Sequence, residues 1–193
     1  MLAPIPMQPA YRHGDATPWG GSQLRSLFNR DIPDDRTGES LEVSAIEGLN
    51  SMDAKGRSLG ELIARYGTRL VGTQHTGTFP LLLKFIAAKD KLSVQVHPND
   101  TYAAEHENKL GKTEAWIILD AQEDARIVYG VNENVTKEQL REASLQGAVV
   151  ESLLRSVPVK KGDAFFIPAG TVHAIGGGSL VRPEATGFGS VYY

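Results

Sequence analysis

The stretch Val157-Pro-Val-Lys-Lys-Gly-Asp-Ala-Phe-Phe-Ile-Pro-Ala-Gly-Thr-Val-His-Ala-Ile175 sets the architecture. It holds three short apolar pieces, Val157–Val159, Ala164–Ile167 and Thr171–Ile175. A Lys-Lys-Gly-Asp turn separates the first two, and a Pro-Ala-Gly turn separates the last two. Pieces this short, bounded by Gly, Pro and Asp, read as strands and not as helices. Working outward, the same texture recurs at Arg126–Tyr129 and Ala115–Leu119. It recurs again at Leu92–Val96, where Leu, Val and Val alternate with Ser and Gln, and in the apolar run Phe79–Ala87. Many short strands at close spacing predict an antiparallel sandwich or barrel, not a parallel α/β sheet.

Two helices interrupt this pattern. Ser58-Leu-Gly-Glu61 is a capping-box sequence, in which hydroxyl and carboxylate each satisfy a free backbone donor. It predicts a helix running to Tyr66 and stopped by Gly67. Thr136-Lys-Glu-Gln139 predicts a second helix, to about Gln146. Residues 1–50 are rich in Pro, Gly and Asp and read as an irregular surface segment with one strand at Leu41–Ala45. The expected organisation is an N-terminal segment, 1–67, packed on a β unit, 68–193, the two forming one structural body. The tail from Gly176 shows too little pattern for an assignment.

Composition narrows the function classes. The chain has 193 residues, 41% hydrophobic and 22% charged, which permits a core of useful size. A net charge of −3 with dispersed Lys and Arg provides neither a nucleic-acid footprint nor a polybasic membrane patch. The N-terminus lacks the basic start and apolar run of a signal peptide, so a cytoplasmic location is expected. With no cysteine, disulfides and thiolate ligands are excluded, and any metal site must use nitrogen and oxygen donors.

Those donors are present. In Ser93-Val-Gln-Val-His97-Pro, an extended backbone projects Gln95 and His97 to one side, and Pro98 ends the strand. Glu114 follows Gly111-Lys-Thr at the mouth of an apolar strand, and His173 follows the Pro-Ala-Gly turn. Each alone is an ordinary surface or strand-end residue. Together they form a set of two imidazoles, one carboxylate and one amide oxygen that suits zinc, and also iron, manganese or cobalt. Lys112 shares the face of Glu114. Lys84 stands among Leu82 and Ile86, an uncomfortable place for a solvated ammonium, although long lysine stems can snorkel. His13, His75 and His106 lack such context and read as surface residues.

The block Leu81-Leu-Leu-Lys-Phe-Ile-Ala-Ala-Lys-Asp-Lys-Leu-Ser-Val-Gln-Val-His-Pro-Asn-Asp100 resembles the signature of type I mannose-6-phosphate isomerases. Gly111-Lys-Thr-Glu-Ala-Trp116 and Ile167-Pro-Ala-Gly-Thr-Val-His-Ala-Ile-Gly176 resemble two further blocks in the same order. Gly38-Glu-Ser-Leu-Glu-Val-Ser44 resembles a weaker one, with Leu41 where Trp is usual. The resemblance implies a mainly β chain: a cupin-type antiparallel β-barrel (jelly roll) with a few short helices. It implies zinc on Gln95, His97, Glu114 and His173, and a sugar-phosphate pocket containing Lys84 and Lys112. The implied reaction interconverts mannose 6-phosphate and fructose 6-phosphate through an enediol. The general base is not identified: Lys84, Lys112, His97 and a metal-bound hydroxide all stand open.

The resemblance ends after Gly176. The family continues with a Glu-Ile-Gln stretch and a Tyr-Arg pair whose arginine is regarded as catalytic, then a second domain. Arg182 and Glu184 do not align with those positions. The alternative expectation is therefore a non-catalytic metal-binding module that binds a sugar phosphate. Core surface left uncovered would favour association of copies of the chain.

Overall fold

A computed structural model describes residues 2–73, 79 and 81–186. In chain order the strands are β1 (Met7–Gln8), β2 (Ala10–Arg12), β3 (Glu39–Val43), β4 (Met52–Asp53), β5 (Leu81–Ala88), β6 (Thr113–Ala121), β7 (Arg126–Val131), β8 (Leu154–Pro158), β9 (Ala164–Ile167), β10 (His173–Ile175) and β11 (Ser179–Thr186). The helices are α1 (Gln23–Phe28), α2 (Leu59–Tyr66), α3 (Thr68–Val71), α4 (Asp100–Glu107) and α5 (Lys137–Ser144). Every strand pairing is antiparallel. A six-stranded sheet runs β2-β3-β5-β11-β6-β9, a three-stranded sheet runs β10-β7-β8, and β1 pairs with β4. This is the mainly β, antiparallel architecture with few short helices that the strand spacing predicts.

The two larger sheets share one core. Ile86, Trp116, Ile118, Ile167 and Val181 from the six-stranded sheet pack with Ile127 and Ile175 from the three-stranded sheet. Alternation selects them: along β6, Glu114, Trp116 and Ile118 are buried while Ile117 is exposed. Fully burying each large side chain stabilises the fold by roughly 1.5–3 kcal/mol.

Both predicted capping boxes form. Ser58 caps α2 against Glu61, and Thr136 caps α5 against Gln139. α4, which was not expected, begins at Asn99, whose side chain accepts from Tyr102 N–H at 2.9 Å.

Three expectations change. First, residues 1–50 do more than wrap the surface: β2 and β3 extend the six-stranded sheet, and Leu24 and Ile32 bury against the outer face of β5 at Ala87. Their polar neighbours disguised this. Thr17, Thr37 and Ser51 are buried because their hydroxyls donate to the carbonyls of Arg36, Asp34 and Leu41. Covering β5 on both faces also explains its near-continuous apolar sequence.

Second, Leu92–Val96 is not a regular strand. It runs beside β10, which is only three residues long, and is tied to it by a bridge between Gln95 and His173 that belongs to no regular ladder. Third, the patternless tail forms β11, an interior strand between β5 and β6. Pro183 lacks an N–H, and its position falls between the pairs Val181–Ile86 and Glu184–Leu83 of the ladder to β5.

Candidate metal centre

Three loops converge at one end of this core, and backbone contacts lock them together. Gln95 and His173 exchange both N–H···O=C bonds at 2.8 Å. Gly170 N–H, in the Pro-Ala-Gly turn, donates to the His97 carbonyl at 2.7 Å, and Lys112 N–H donates to the Pro98 carbonyl at 3.0 Å. Gly111 sits so close to the next loop that a Cβ there would meet Asn99 C and Asp100 N at 2.4 Å. Gly111 therefore permits the close approach of the loops that carry His97 and Glu114, while Gly170, at φ +85°, gives the Pro-Ala-Gly turn the left-handed backbone that leads into His173.

All three side chains are buried, at 2%, 5% and 2% exposure. One ligand atom from each lies within 4.8 Å of the others. Glu114 Oε1 is 3.6 Å from His97 Nε2, and Glu114 Oε2 is 3.9 Å from His173 Nε2. The surroundings orient these groups. Trp116 Nε1 donates to Glu114 Oε2 at 2.7 Å. His173 Nδ1 is 2.8 Å from the Thr171 carbonyl, which assigns the proton to Nδ1 and leaves the Nε2 lone pair facing Glu114. Gln95 lines a cavity together with Glu114 and His173; its amide nitrogen donates to Ser93 Oγ at 3.3 Å, so its oxygen is the atom left for a ligand.

Protonation states follow from the same geometry. Burial pushes the Glu114 carboxyl up, but His97 and the Lys112 and Lys84 cations outweigh it and hold it well below the usual range. Burial pushes the His173 imidazole down, offset only in part by its carbonyl partner. An anionic carboxylate beside a neutral imidazole is the state that metal binding requires. Two imidazoles, a carboxylate and an amide oxygen thus fit a divalent ion chemically.

Lys112 Nζ contacts Glu114 Oε1 and lies 3.2 Å from His97 Nε2. Burial lowers its pKa, and Glu114 opposes that. Lys84 is not a snorkelling surface lysine: Nζ donates to Glu39 Oε1 at 2.6 Å, with the side chains 12% and 9% exposed. Lys84, Lys112, Gln95, Glu114 and His173 all line one cavity of about 780 Å³.

Glu39 and Arg12, on the same wall, are charged residues that inspection of the sequence passed over. The Gly38-Glu-Ser block contained Glu39, but only strand pairing shows which lysine it meets. His13 pairs with Asp34 at an exposed site and His106 is exposed, while His75 lies outside the described residues.

A family model, the catalytic domain of type I phosphomannose isomerase, matches residues 7–116. The chain belongs to this family. The phosphomannose isomerase match contains Lys84, Gln95, His97, Lys112 and Glu114; His173 lies beyond it. The chain is 45% identical over 167 residues to the mannose-6-phosphate isomerase of Streptococcus mutans, covering 84% of the chain and 52% of that relative. It is 48% identical, with the same coverage, to mannose-6-phosphate isomerase ManA of Bacillus subtilis. Among solved structures it is similar to the mannose 6-phosphate isomerase of Bacillus subtilis, with TM-score 0.87, 35% identity and coverage of 99% and 60% of the two chains. A putative mannosephosphate isomerase of Archaeoglobus fulgidus gives TM-score 0.82 at 25% identity, covering 100% of this chain and 65% of that one. The chain spans about half the length of the curated relatives it matches.

Proposed function

We propose that the chain is a metal-dependent aldose–ketose isomerase that interconverts mannose 6-phosphate and fructose 6-phosphate through an enediol. The observation that carries this is the convergence of His97, Glu114 and His173, with Glu114, His173 and Gln95 lining a cavity that Lys84 and Lys112 also line. The names of the similar relatives supply the sugar. Gln95, His97, Glu114 and His173 would hold the ion, and the donor set favours zinc. When bound, a divalent cation supplies electrostatic stabilisation of the oxygen that becomes negative in the enediolate.

The remaining work falls to the chain. Lys84 and Lys112 offset the charge of a substrate that carries nearly two negative charges. Trp19, Leu82, Ile86 and Leu92 line the cavity and offer apolar surface to the sugar carbons. Trp116 and the Thr171 carbonyl hold the carboxylate and one imidazole in register.

A cytoplasmic location suits such an enzyme, and no helix among the described residues is long and apolar enough to cross a membrane. A sugar phosphate is the expected partner, not nucleic acid or a membrane surface. Phe166 and Ile117, exposed near the β9 edge, provide a surface through which copies could associate.

A coupled assay on mannose 6-phosphate, with metal analysis on the same sample, tests the reading. Turnover should vanish with a chelator and return with zinc. Stoichiometric bound metal without turnover on any hexose phosphate would reject the isomerase and favour a non-catalytic sugar-phosphate binder.

A further inference from the structure

A second charged cluster lies on the same cavity wall, built by three strands of the six-stranded sheet. Register sets Arg12 on β2 opposite Glu39 on β3, and Lys84 on β5 opposite Leu41 on β3. Glu39 Oε1 accepts from Lys84 Nζ at 2.6 Å, and Glu39 Oε2 lies 3.6 Å from Arg12 Nε. One carboxylate thus serves two cations, so the cluster keeps a net positive charge. The two cations differ. The Lys84 side chain is only 12% exposed and directly paired, whereas the Arg12 side chain is 47% exposed and its nearest approach to Glu39 is through Nε. Among the described residues no other carboxylate pairs with Arg12.

We infer that Arg12 anchors the phosphate of the sugar phosphate, with Glu39 as its positioning residue. The inference rests on the isomerase reading and adds an orientation to it. C1 and C2 of a hexose 6-phosphate stand at the opposite end of the carbon chain from the phosphate. The His97–Glu114–His173 trio is buried, while Arg12 is half-exposed at the cavity rim. The reacting end therefore lies inward and the phosphate outward. The phosphate dianion, the most strongly hydrated part of the ligand, stays near water. A guanidinium tethered on its Nε side still presents two terminal amino groups, and this fork matches phosphate oxygens bidentately in a way an ammonium cannot. Lys84, already neutralised by Glu39, contributes less to the phosphate than Arg12 does.

The test is calorimetric titration of the zinc-loaded 193-residue chain with mannose 6-phosphate, with inorganic phosphate as a second probe, for the wild type, Arg12→Gln and Arg12→Lys. Zinc content and thermal midpoint check the fold of each variant; if Arg12→Gln does not fold, Arg12→Lys alone carries the comparison. Arg12→Gln should raise Kd for mannose 6-phosphate about tenfold or more, the loss expected for a charge-assisted bond. Arg12→Lys should fall between the two, with KM rising more than kcat falls. Wild-type affinity for mannose 6-phosphate in the folded variants would overturn the role of Arg12 and leave the isomerase reading standing. A wild-type chain that binds neither probe would instead overturn that reading, and the anchor with it.

Discussion

Replacing Glu39 with Ala removes the only carboxylate that pairs with Lys84 among the described residues, at a site where both side chains are almost out of solvent. Burial pushes the Glu39 carboxyl up, but Lys84, and after it Arg12, hold it below the usual range, so the residue is charged at neutral pH. The substitution strands the Lys84 ammonium. Breaking a buried pair by removing one partner costs about 3–5 kcal/mol. Because Lys84 lines a cavity that water can enter, the lower end, about 3 kcal/mol, is expected. For a domain of this size that lowers Tm by roughly 6–12 °C.

The pH dependence has a definite sign. A carboxylate with a depressed folded pKa contributes stability above its unfolded pKa and loses it as pH falls through the folded one. The gap between wild type and variant should therefore be full at neutral pH and shrink below about pH 4. Thermal unfolding of the metal-free protein between neutral and acid pH measures it. The double variant Glu39→Ala, Lys84→Met should recover most of the loss, because it removes the stranded charge. A Tm within about 1 °C of wild type for Glu39→Ala would refute the buried-pair argument. So would a double variant no more stable than the single.

Two further outcomes follow from the candidate metal centre. His173→Ala should lower zinc affinity by more than about a hundredfold, since loss of a direct ligand exceeds the effect of losing its supporting partner; undiminished zinc in equilibrium dialysis would remove His173 from the ligand set. Gly111→Ala should destabilise the protein by about 1–3 kcal/mol and weaken zinc binding with it. The added Cβ meets backbone atoms of Asn99 and Asp100, which cannot swing aside. Paired thermal melts and zinc titrations check this, and a variant indistinguishable from wild type would show that the two loops are not locked.

Local chemistry carried much of this protein into its sequence. The capping boxes at Ser58 and Thr136 needed only neighbours three residues away, so both helices were legible. The short apolar run Ala115–Leu119 was legible as a strand, with Glu114 at its mouth, because an extended piece bounded by turn residues declares itself locally; that Glu114 is buried beside Trp116 and Ile118 came only with the packed sheet. Gln95, His97, Glu114 and His173 stood out as a donor set because no cysteine competes and their motifs carry the Gly and Pro that tight turns need.

What tertiary structure decided is everything whose partner lies far along the chain. β11 has little pattern of its own, and its strand state comes from β5 and β6 on either side. The serines and threonines of the first fifty residues look like a solvated loop until the carbonyls that bury them are in place. Lys84 and Glu39 are 45 residues apart, and only the β3–β5 register turns an awkward lysine and an unremarked glutamate into a buried ion pair. A sequence displays side-chain chemistry and short-range geometry; it does not display which strand lies beside which. Hydrogen-bond registry between distant segments makes that choice, and it decides which charges face the same cavity.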